Sequence, residues 1–388
     1  MNQSRRSFLR SSATAGAWAG LFSGFGSAAR AADPDPKSPQ PEPQAGSSHK
    51  WGMGVDPGQN LPPEATNGPW RNLKAVKEKK VFDIHCHCFE TPTQGHNYKE
   101  EGHMHEVDQW KDYTADLIAA MDRHGIAQAA LSPAFVTYET VVEKSFKAYP
   151  DRFIRATGLP TESTKARSSG VLTQPGAEAD ISPTEMAAIF KKQLTQDGCK
   201  MIGEISGDAI LRMLIPKYGI KALKPVVDVA LEYNVPVQIH TGWTATGTAI
   251  GVGQGYTTAW RWAEAMGELM ANYPDMKVIL GHTGGRLAAV DGWEAVRLLF
   301  SFDNAYCDTA KSTPEIVSEV VRGIGAERVL FGSDWNRPEM KTYGPYHMRN
   351  VYQHWYNLNT IAQADLTEEQ REWILYKSAR KLLKLDAS

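Results

Sequence analysis

Residues 81–87 read VFDIHCH, an apolar run that ends in two histidines with one residue between them. On a β-strand, alternate side chains point to the same face, about 6.6 Å apart along the chain. His85 and His87 therefore project in parallel and can bind one cation from a single strand. Cys86 and Cys88 alternate with them, so we interpret these cysteines as buried small hydrophobic residues rather than as ligands.

Three further apolar runs end directly in a histidine or an aspartate. They read VQIHTG at 237–242, VILGHTGG at 278–285 and VLFGSDW at 329–335. His240, His282 and Asp334 are therefore expected at the carboxyl ends of strands, and in a barrel these ends converge on one mouth. Imidazole and carboxylate groups around an open position are what a catalytic zinc or similar divalent ion requires.

Short apolar runs alternate with amphipathic stretches from about residue 74 to the end of the chain. Beyond the four strands quoted above, we predict strands at 127–132, 153–159, 199–205 and 305–308. Helices are predicted at 113–124, 183–196, 220–233, 257–273 and 314–323. Strands that alternate with helices indicate parallel pairing, and eight such units predict a single-domain (β/α)8 TIM barrel over residues 74–388. The alternative is an open doubly wound sheet, but no glycine-rich phosphate turn follows the first strand.

Two long stretches between these elements have little periodicity. Residues 89–112 and 160–182 are rich in glycine, proline, serine and charge. In a barrel enzyme, loops of this kind cover the active-site face. We therefore predict long active-site loops.

The amino terminus has the composition of an export signal. Residues 4–10 read SRRSFLR, an uncharged stretch follows to residue 29, and residues 29–31 read ARA, a small-x-small cleavage pattern. Residues 1–31 therefore predict a secretory signal that resembles the bacterial twin-arginine signal, with the twin-arginine translocase as a partner and a periplasmic or secreted location. The stretch has too few strongly apolar residues for a stable membrane anchor. The alternative is a disordered basic tail.

The rest of the composition limits the choice of function. Residues 32–73 begin with a proline-rich run that cannot bury apolar surface, and we predict a disordered tether there. The formal net charge is −2, and no run of like charges supports binding to nucleic acid. Four cysteines in 388 residues do not form a disulfide framework. The sequence leaves open whether identical copies assemble into a homo-oligomer.

Taken together, these motifs resemble the amidohydrolase superfamily, and most closely its amidohydrolase-related branch of metal-dependent hydrolases and decarboxylases. The resemblance spans roughly residues 80–384. It implies a (β/α)8 barrel and one divalent metal ion, with Zn²⁺ as the first choice and Mn²⁺ or another divalent ion as alternatives. It also implies that His85, His87, His240 and Asp334 bind the ion, while His282 orients the metal-bound water or polarises the substrate.

Glu204 closes the predicted fourth strand, where relatives with two metals place a bridging lysine or glutamate. Lys200 lies at the beginning of that strand, so the chain departs from the carbamylated-lysine pattern. Glu204 is thus a candidate for binding a second metal or substrate, and the alternative is a strand-end carboxylate in a hydrogen-bond network. Residues that follow the ligand positions are candidates for substrate binding: Trp243, Arg286, Trp335 and Arg337. For Arg286, a salt bridge at a helix start is the alternative.

The expected reaction is metal-assisted hydrolysis of an ester, lactone or amide-type bond in a small molecule. In this mechanism, Asp334 accepts the proton of the metal-bound water and His282 polarises the substrate carbonyl. The alternative on the same scaffold is a decarboxylase, a carbon–carbon lyase of a small aromatic or enoic acid. A binding protein that has lost catalysis is a third hypothesis, but such a protein typically lacks Asp334 or one of the histidines.

Overall fold

A computed structural model describes the parts of the chain that carry the predicted barrel. The described residues are 63–90, 111–133, 138–158, 182–206, 220–240, 259–284, 297–336 and 353–385. The predicted signal, most of the predicted tether and most of the two predicted active-site loops lie outside these residues.

Eight parallel strands and one short antiparallel pair form the β-structure of the described residues. The strands are β1 (Val81–Cys86), β2 (Phe89–Glu90), β3 (Lys111–Asp112), β4 (Ile126–Leu131), β5 (Phe153–Arg155), β6 (Ile202–Ser206), β7 (Val237–His240), β8 (Val278–Leu280), β9 (Ala305–Asp308) and β10 (Val329–Leu330). Two parallel sheets run in the orders β1-β4-β5 and β10-β9-β8-β7-β6, while β2 pairs with β3. Parallel bridges join Cys86 to Trp335 and Ala156 to Met201, so the two sheets close into one ring. The fold is the predicted (β/α)8 barrel.

Helices follow the strands in alternation, as the sequence predicts. Within the described ranges they are α1 (Pro63–Asn67), α2 (Lys74–Lys77), α3 (Thr114–Arg123), α4 (Tyr138–Val141), α5 (Pro183–Gln196), α6 (Lys224–Glu232), α7 (Ala259–Asn272), α8 (Pro314–Ile324), α9 (His354–Gln363), α10 (Glu368–Glu372) and α11 (Ser378–Leu383). Ser182 caps the start of α5 in a capping box completed by Glu185, and Thr313 caps α8 just before Pro314. No helix among the described residues is both long and apolar enough to cross a membrane.

Apolar side chains form two buried clusters. The larger cluster contains Val81, Cys86, Ala129 and many helix residues, so it lies between the strands and the surrounding helices. The smaller cluster joins side chains from strands on all sides of the ring: Phe82, Ile84, Ala130, Met201, Ile279 and Leu330. This cluster fills the barrel interior, as expected for a TIM barrel. The polar residues at the strand ends therefore stand above a closed apolar floor.

The folded part of the chain begins earlier than predicted. Residues 63–73 were assigned to the tether, yet α1 and a 3₁₀ turn at Pro69–Asn72 lie within them. Trp70 is 3% exposed, and its backbone N–H donates to Oδ1 of Asn359 on α9 over 3.1 Å. Burial of the Trp70 side chain stabilises this segment, and the proline-rich stretch before it has no comparable apolar side chain to bury. The predicted boundary at residue 74 was therefore wrong for these eleven residues.

His124, at the end of α3, is a buried histidine that makes the stability of the fold depend on pH. It caps α3, is 1% exposed, and donates from Nδ1 to the carbonyl of Ala120 over 2.8 Å. Burial and, to a smaller extent, the nearby His354 lower the pKa of His124 to about 3. Because the folded pKa lies below the unfolded value of about 6.5, the stability that His124 contributes is complete above that value and is lost as the pH falls toward 3.

We therefore expect His124→Gln to flatten the pH dependence of stability. Between about pH 7 and about pH 4.5 the wild-type protein should lose more unfolding free energy than the variant, because each unit of pKa difference is worth about 1.4 kcal/mol. Urea unfolding at the two pH values measures this. Equal losses in both proteins would contradict the assignment.

Candidate metal centre

Six polar side chains meet at the carboxyl ends of the barrel strands. His85 lies on β1 and His87 just beyond it, while Glu204 lies on β6. His240 ends β7, His282 follows β8 and Asp334 follows β10. Because these ends lie at one mouth of the barrel, the structure brings together all the residues that the sequence assigns to metal binding, including Glu204.

The carboxylates of Glu204 and Asp334 face the imidazoles of His85 and His87. Nε2 of His85 is 3.3 Å from Oε1 of Glu204 and 3.5 Å from Oδ1 of Asp334. Nε2 of His87 is 3.3 Å from Oε2 of Glu204 and 3.3 Å from Oδ1 of Asp334. Each carboxylate therefore faces both histidines.

His240 and His282 complete the other side of the cluster. Nδ1 of His240 is 2.7 Å from Oε1 of Glu204. Nε2 of His282 is 3.2 Å from Nδ1 of His240 and 3.8 Å from Oδ2 of Asp334. His282 thus faces Oδ2 of Asp334, whereas His87 faces Oδ1. His282 is close enough to His240 and Asp334 to contact a molecule bound beside these two residues.

The tautomers of His85 and His87 follow from their outer partners. Nδ1 of His85 is 2.9 Å from Oδ2 of Asp308, and Nδ1 of His87 is 3.0 Å from the carbonyl oxygen of Ser132. A carbonyl oxygen and an ionised carboxylate only accept, so both Nδ1 atoms carry the hydrogen. In the neutral rings each Nε2 then presents a lone pair toward the two carboxylates. Among the described residues, no group makes a well-aligned hydrogen bond with Nε2 of His85.

Lone pairs that face carboxylates are stabilised by a cation between them. Ligand atoms of His85, His87 and Asp334 lie within 4.8 Å of one another, and so do those of His85, Glu204 and His282. Imidazole nitrogens fixed by outer hydrogen bonds, together with carboxylate oxygens, are the usual ligands of catalytic zinc and manganese. The donor set therefore fits a divalent metal ion.

The pKa values of the β1 histidines show that the pocket stabilises positive charge. Burial opposes protonation of His85, but the carboxylates of Glu204, Asp308 and Asp334 outweigh it and hold the pKa well above its usual range. Burial likewise opposes protonation of His87, and hydrogen bonds to Asp334 and Glu204 raise its pKa to about 9. Burial alone would raise the pKa of Glu204, but His85 and His240 hold it well below its usual range.

Lys311 is a member of the site that the sequence analysis did not single out. It is 5% exposed, and its ammonium group forms a short ion pair with Oδ2 of Asp334. Burial alone would raise the pKa of Asp334, but Lys311 and His85 hold it well below its usual range. Burial and then Lys311 lower the pKa of His282 well below its usual value, so this imidazole is neutral. No spacing or apolar run distinguishes Lys311 from the surface lysines in the sequence.

Several site residues have a left-handed backbone. The φ angles are 55° at His282, 59° at Lys311 and 51° at Asp334. Non-glycine residues rarely adopt this conformation, and clusters of them are a feature of functional sites. The N–H of Asp334 donates to the carbonyl of His85 over 2.7 Å, which joins β10 to β1 at the mouth. The backbone is thus held in an unfavourable conformation where the side chains must converge.

Helix α9 supports the Asp334 side of the site from outside the barrel. Oδ1 of Asn357 accepts from the backbone N–H of Lys311 over 2.8 Å, and its Nδ2 donates to the carbonyl of Ser333 over 3.3 Å. One side chain therefore fixes the chain next to Asp334 and at Lys311. Neither contact could be predicted, because the partners are far apart in the sequence.

Of the four residues predicted to bind substrate, the structure describes only Trp335. Trp243, Arg286 and Arg337 lie outside the described residues. Trp335 is 1% exposed and stacks on the ring of His354 with centroids 6.3 Å apart. The side chain of Trp335 points into the core because its bridge to Cys86 continues the strand, where neighbouring side chains alternate. The prediction that Trp335 lines the pocket was therefore wrong.

The cysteines are buried as interpreted from the sequence. All four thiols are free and buried, and that of Cys86 donates to the carbonyl of Ala130. Burial raises the pKa of Cys88 to about 12, which removes thiolate character. Cys86 and Cys88 therefore contribute packing and take no part in the ligand cluster.

The comparisons with known proteins agree with this architecture. The family model described as Amidohydrolase matches residues 82–385. The chain belongs to the amidohydrolase family. This match contains every ligand candidate from His85 to Asp334, so the site lies within the part of the chain that defines the amidohydrolase family. A search of curated proteins found no match.

Solved structures provide distant likenesses to this amidohydrolase. One is a dihydroxybenzoic acid decarboxylase from Polaromonas sp. JS666 with bound manganese, at 16% identity and a TM-score of 0.49, covering 80% of this chain and 98% of that one. Another is 4-oxalomesaconate hydratase from Rhodopseudomonas palustris, at 18% identity and a TM-score of 0.49, covering 79% and 97%. Likenesses this distant do not decide the reaction.

Proposed function

We propose that this protein is a metal-dependent hydrolase that cleaves an ester, lactone or amide-type bond in a small molecule. The observation that carries the proposal is the arrangement of His85 and His87, whose Nδ1 hydrogens are bound outside the pocket and whose Nε2 atoms face two carboxylates. This arrangement requires positive charge at its centre. A structural metal site does not require a neutral imidazole such as that of His282 beside the ligands, whereas a catalytic site can use one.

His85, His87, His240 and Asp334 would hold the ion, and Glu204 lies within the same cluster. Zn²⁺ is our first choice and Mn²⁺ the second, because imidazole and carboxylate ligands suit both. When bound, a divalent ion of this kind lowers the pKa of a coordinated water toward neutrality and polarises a substrate oxygen.

The chain's own residues move the proton and orient the substrate. Asp334 directs Oδ1 toward His85 and His87, and from this position it accepts a proton from water and returns it to the leaving group. His282 is neutral and buried, so one of its ring nitrogens can donate a hydrogen bond to a substrate carbonyl. Lys311 holds Oδ2 of Asp334 and thereby fixes the orientation of the carboxylate.

Decarboxylation of a small aromatic or enoic acid is the second candidate, and Lys311 favours it. Its ammonium group occupies Oδ2 of Asp334, which weakens Asp334 as a base. The same ammonium is a fixed positive charge beside the site, suited to attracting a substrate carboxylate. A carbon–carbon lyase would use both properties.

A substrate panel on metal-defined protein tests the proposal. The protein is purified without chelator, its metal content is measured, and lactones, esters, amides and carboxylic acids are offered. Hydrolysis of a neutral substrate supports the first candidate, and release of carbon dioxide from an acid supports the second. Either activity should be lost after chelation and restored by Zn²⁺ or Mn²⁺. Protein that neither retains nor takes up a divalent ion would overturn both candidates.

Glu204→Gln tests whether Glu204 belongs to the metal centre or only to a hydrogen-bond network. The amide keeps the shape but removes one negative charge, so we expect the affinity for Zn²⁺ or Mn²⁺ to fall about tenfold or more. Titration against a competing chelator measures it. The matched control is Glu232→Gln, because Glu232 forms an exposed ion pair with Lys191. Unchanged affinity in the Glu204 variant would favour the network alone.

We also propose that residues 1–31 direct export through the twin-arginine translocase, so that the enzyme meets its substrate in the periplasm or outside the cell. The pair Arg5 and Arg6 supports this proposal. Replacing both with lysine should retain the protein in the cytoplasm of a twin-arginine-competent bacterium, as measured by cell fractionation. Equal export of both forms would contradict it.

A further inference from the structure

Asp308 is a fully buried carboxylate at the end of β9, and the proposed mechanism does not use it. Each of its oxygens accepts two hydrogen bonds. Oδ1 accepts from the backbone N–H groups of His282 and Ala310, over 2.9 and 3.0 Å. Oδ2 accepts from Nδ1 of His85 and Nε2 of Gln238, over 2.9 and 3.0 Å. Four donors thus satisfy the whole accepting capacity of one carboxylate.

The four donors come from different parts of the mouth. His85 lies on β1, Gln238 on β7, and the N–H of His282 follows β8. Asp308 therefore joins the side chain of one metal-ligand candidate to the backbone of the residue proposed to act on the substrate. Its bond to the N–H of His282 also helps to hold that residue in its left-handed conformation, with φ at 55°.

The Asp308–His85 pair is tightly packed and fully buried. Gly332, which follows β10, lies close to both residues: a Cβ at this position would be 2.9 Å from Cβ of Asp308 and 3.0 Å from Cβ of His85. Asp308 and His85 are each 0% exposed, so water does not compete for their hydrogen bond. The geometry that fixes His85 is thus built into the packing.

We propose that Asp308 is a positioning residue of the metal centre, which keeps His85 in the Nδ1–H tautomer and aligns His282 through its backbone. The four protein donors occupy both oxygens of Asp308, so it would not itself be a ligand of the ion. It acts through His85, whose Nε2 lone pair faces the cluster only while Nδ1 carries the hydrogen. This proposal rests on the proposed metal-dependent function of the same site.

Asp308→Asn is the direct test, because the variant keeps the shape and replaces one accepting oxygen with an NH₂ donor. The backbone N–H groups of His282 and Ala310 can only donate, so the amide oxygen is expected at the Oδ1 position. The NH₂ group then faces Nδ1 of His85, and an Nδ1 acceptor with an Nε2–H on His85 becomes favourable. We expect Zn²⁺ affinity to fall about 10- to 100-fold, measured against a competing chelator. Gln238→Met is the matched control, since it removes a bond to the same oxygen without involving a histidine. Its affinity should stay within about twofold of the wild type.

Histidine ¹⁵N NMR of the zinc-loaded protein separates this role from a purely structural one. In the wild type, the resonance lost in His85→Gln should be that of a ring with a hydrogen on Nδ1 and the metal on Nε2. Metal on Nδ1 of His85 in the wild type would overturn the proposal even if Asp308→Asn failed to fold. A folded Asp308→Asn protein with wild-type zinc affinity would overturn it as well. Failure of the wild type to bind zinc or manganese would instead overturn the proposed function.

Discussion

Asp334→Asn should lower kcat by about 10²- to 10⁴-fold, the range expected when a general acid–base group is removed. The amide is isosteric, and its oxygen can still face His85 and His87, where Oδ1 of Asp334 now lies 3.5 and 3.3 Å from their Nε2 atoms. The amide cannot accept a proton from water, and it leaves Lys311 without its anionic partner. Much of the metal should therefore stay bound while turnover is lost.

Steady-state kinetics on the active substrate of the panel, together with metal analysis of the same samples, measures both parts of this expectation. The matched control is Asp228→Asn, because Asp228 lies on helix α6 and forms an exposed ion pair with Lys224 over 2.6 Å. Wild-type kcat in Asp334→Asn would remove Asp334 from the mechanism. Complete loss of metal would show that its role is to bind the ion rather than to transfer the proton.

The barrel could be predicted because each of its units carries a local signal. The runs at 81–87, 237–242, 278–285 and 329–335 each lead from apolar residues into a histidine or an aspartate, and parallel pairing brings such ends to one mouth. The convergence of His85, His87, His240, His282 and Asp334 follows from this rule. Strand limits were less predictable: β6 begins at Ile202 rather than at residue 199, and Met201 just before it forms an isolated bridge with Ala156.

The rest of the site depends on contacts that no local pattern encodes. Lys311 and Asp308 acquire their roles only when β9 lies between β8 and β10, and the sequence shows them as an ordinary lysine and a strand-end aspartate. Trp335 was assigned to the pocket from its position after Asp334, but its neighbour in the fold is His354, nineteen residues later in the chain. Trp70 was assigned to the tether because of the composition of residues 32–73, although its side chain is buried in the fold.

Asp83 is a buried carboxylate outside the ligand cluster that bonds to the chain on both sides of it. It is 0% exposed, and Oδ1 accepts from the N–H groups of His85 and Ser333 over 3.0 and 3.1 Å. Oδ2 accepts from the hydroxyl of Ser333 and from Nε2 of His354. One carboxylate thus joins β1 to the chain after β10, immediately before the residues proposed to bind the ion.

We expect Asp83→Ala to lower the free energy of unfolding by at least about 3 kcal/mol, because it leaves several buried donors without an acceptor. Such a loss is a large share of a typical stability of about 5–15 kcal/mol. Urea unfolding measures it. Ser333→Ala leaves the carboxylate and removes a hydroxyl that donates to Asp83 and accepts from the N–H of Trp335, so it should cost about 1–2 kcal/mol. Similar losses in the two variants would mean that the Ser333 hydroxyl alone carries the contact. A loss confined to Asp83→Ala, accompanied by weaker metal binding, would show that the carboxylate sets the distance between His85 and Asp334.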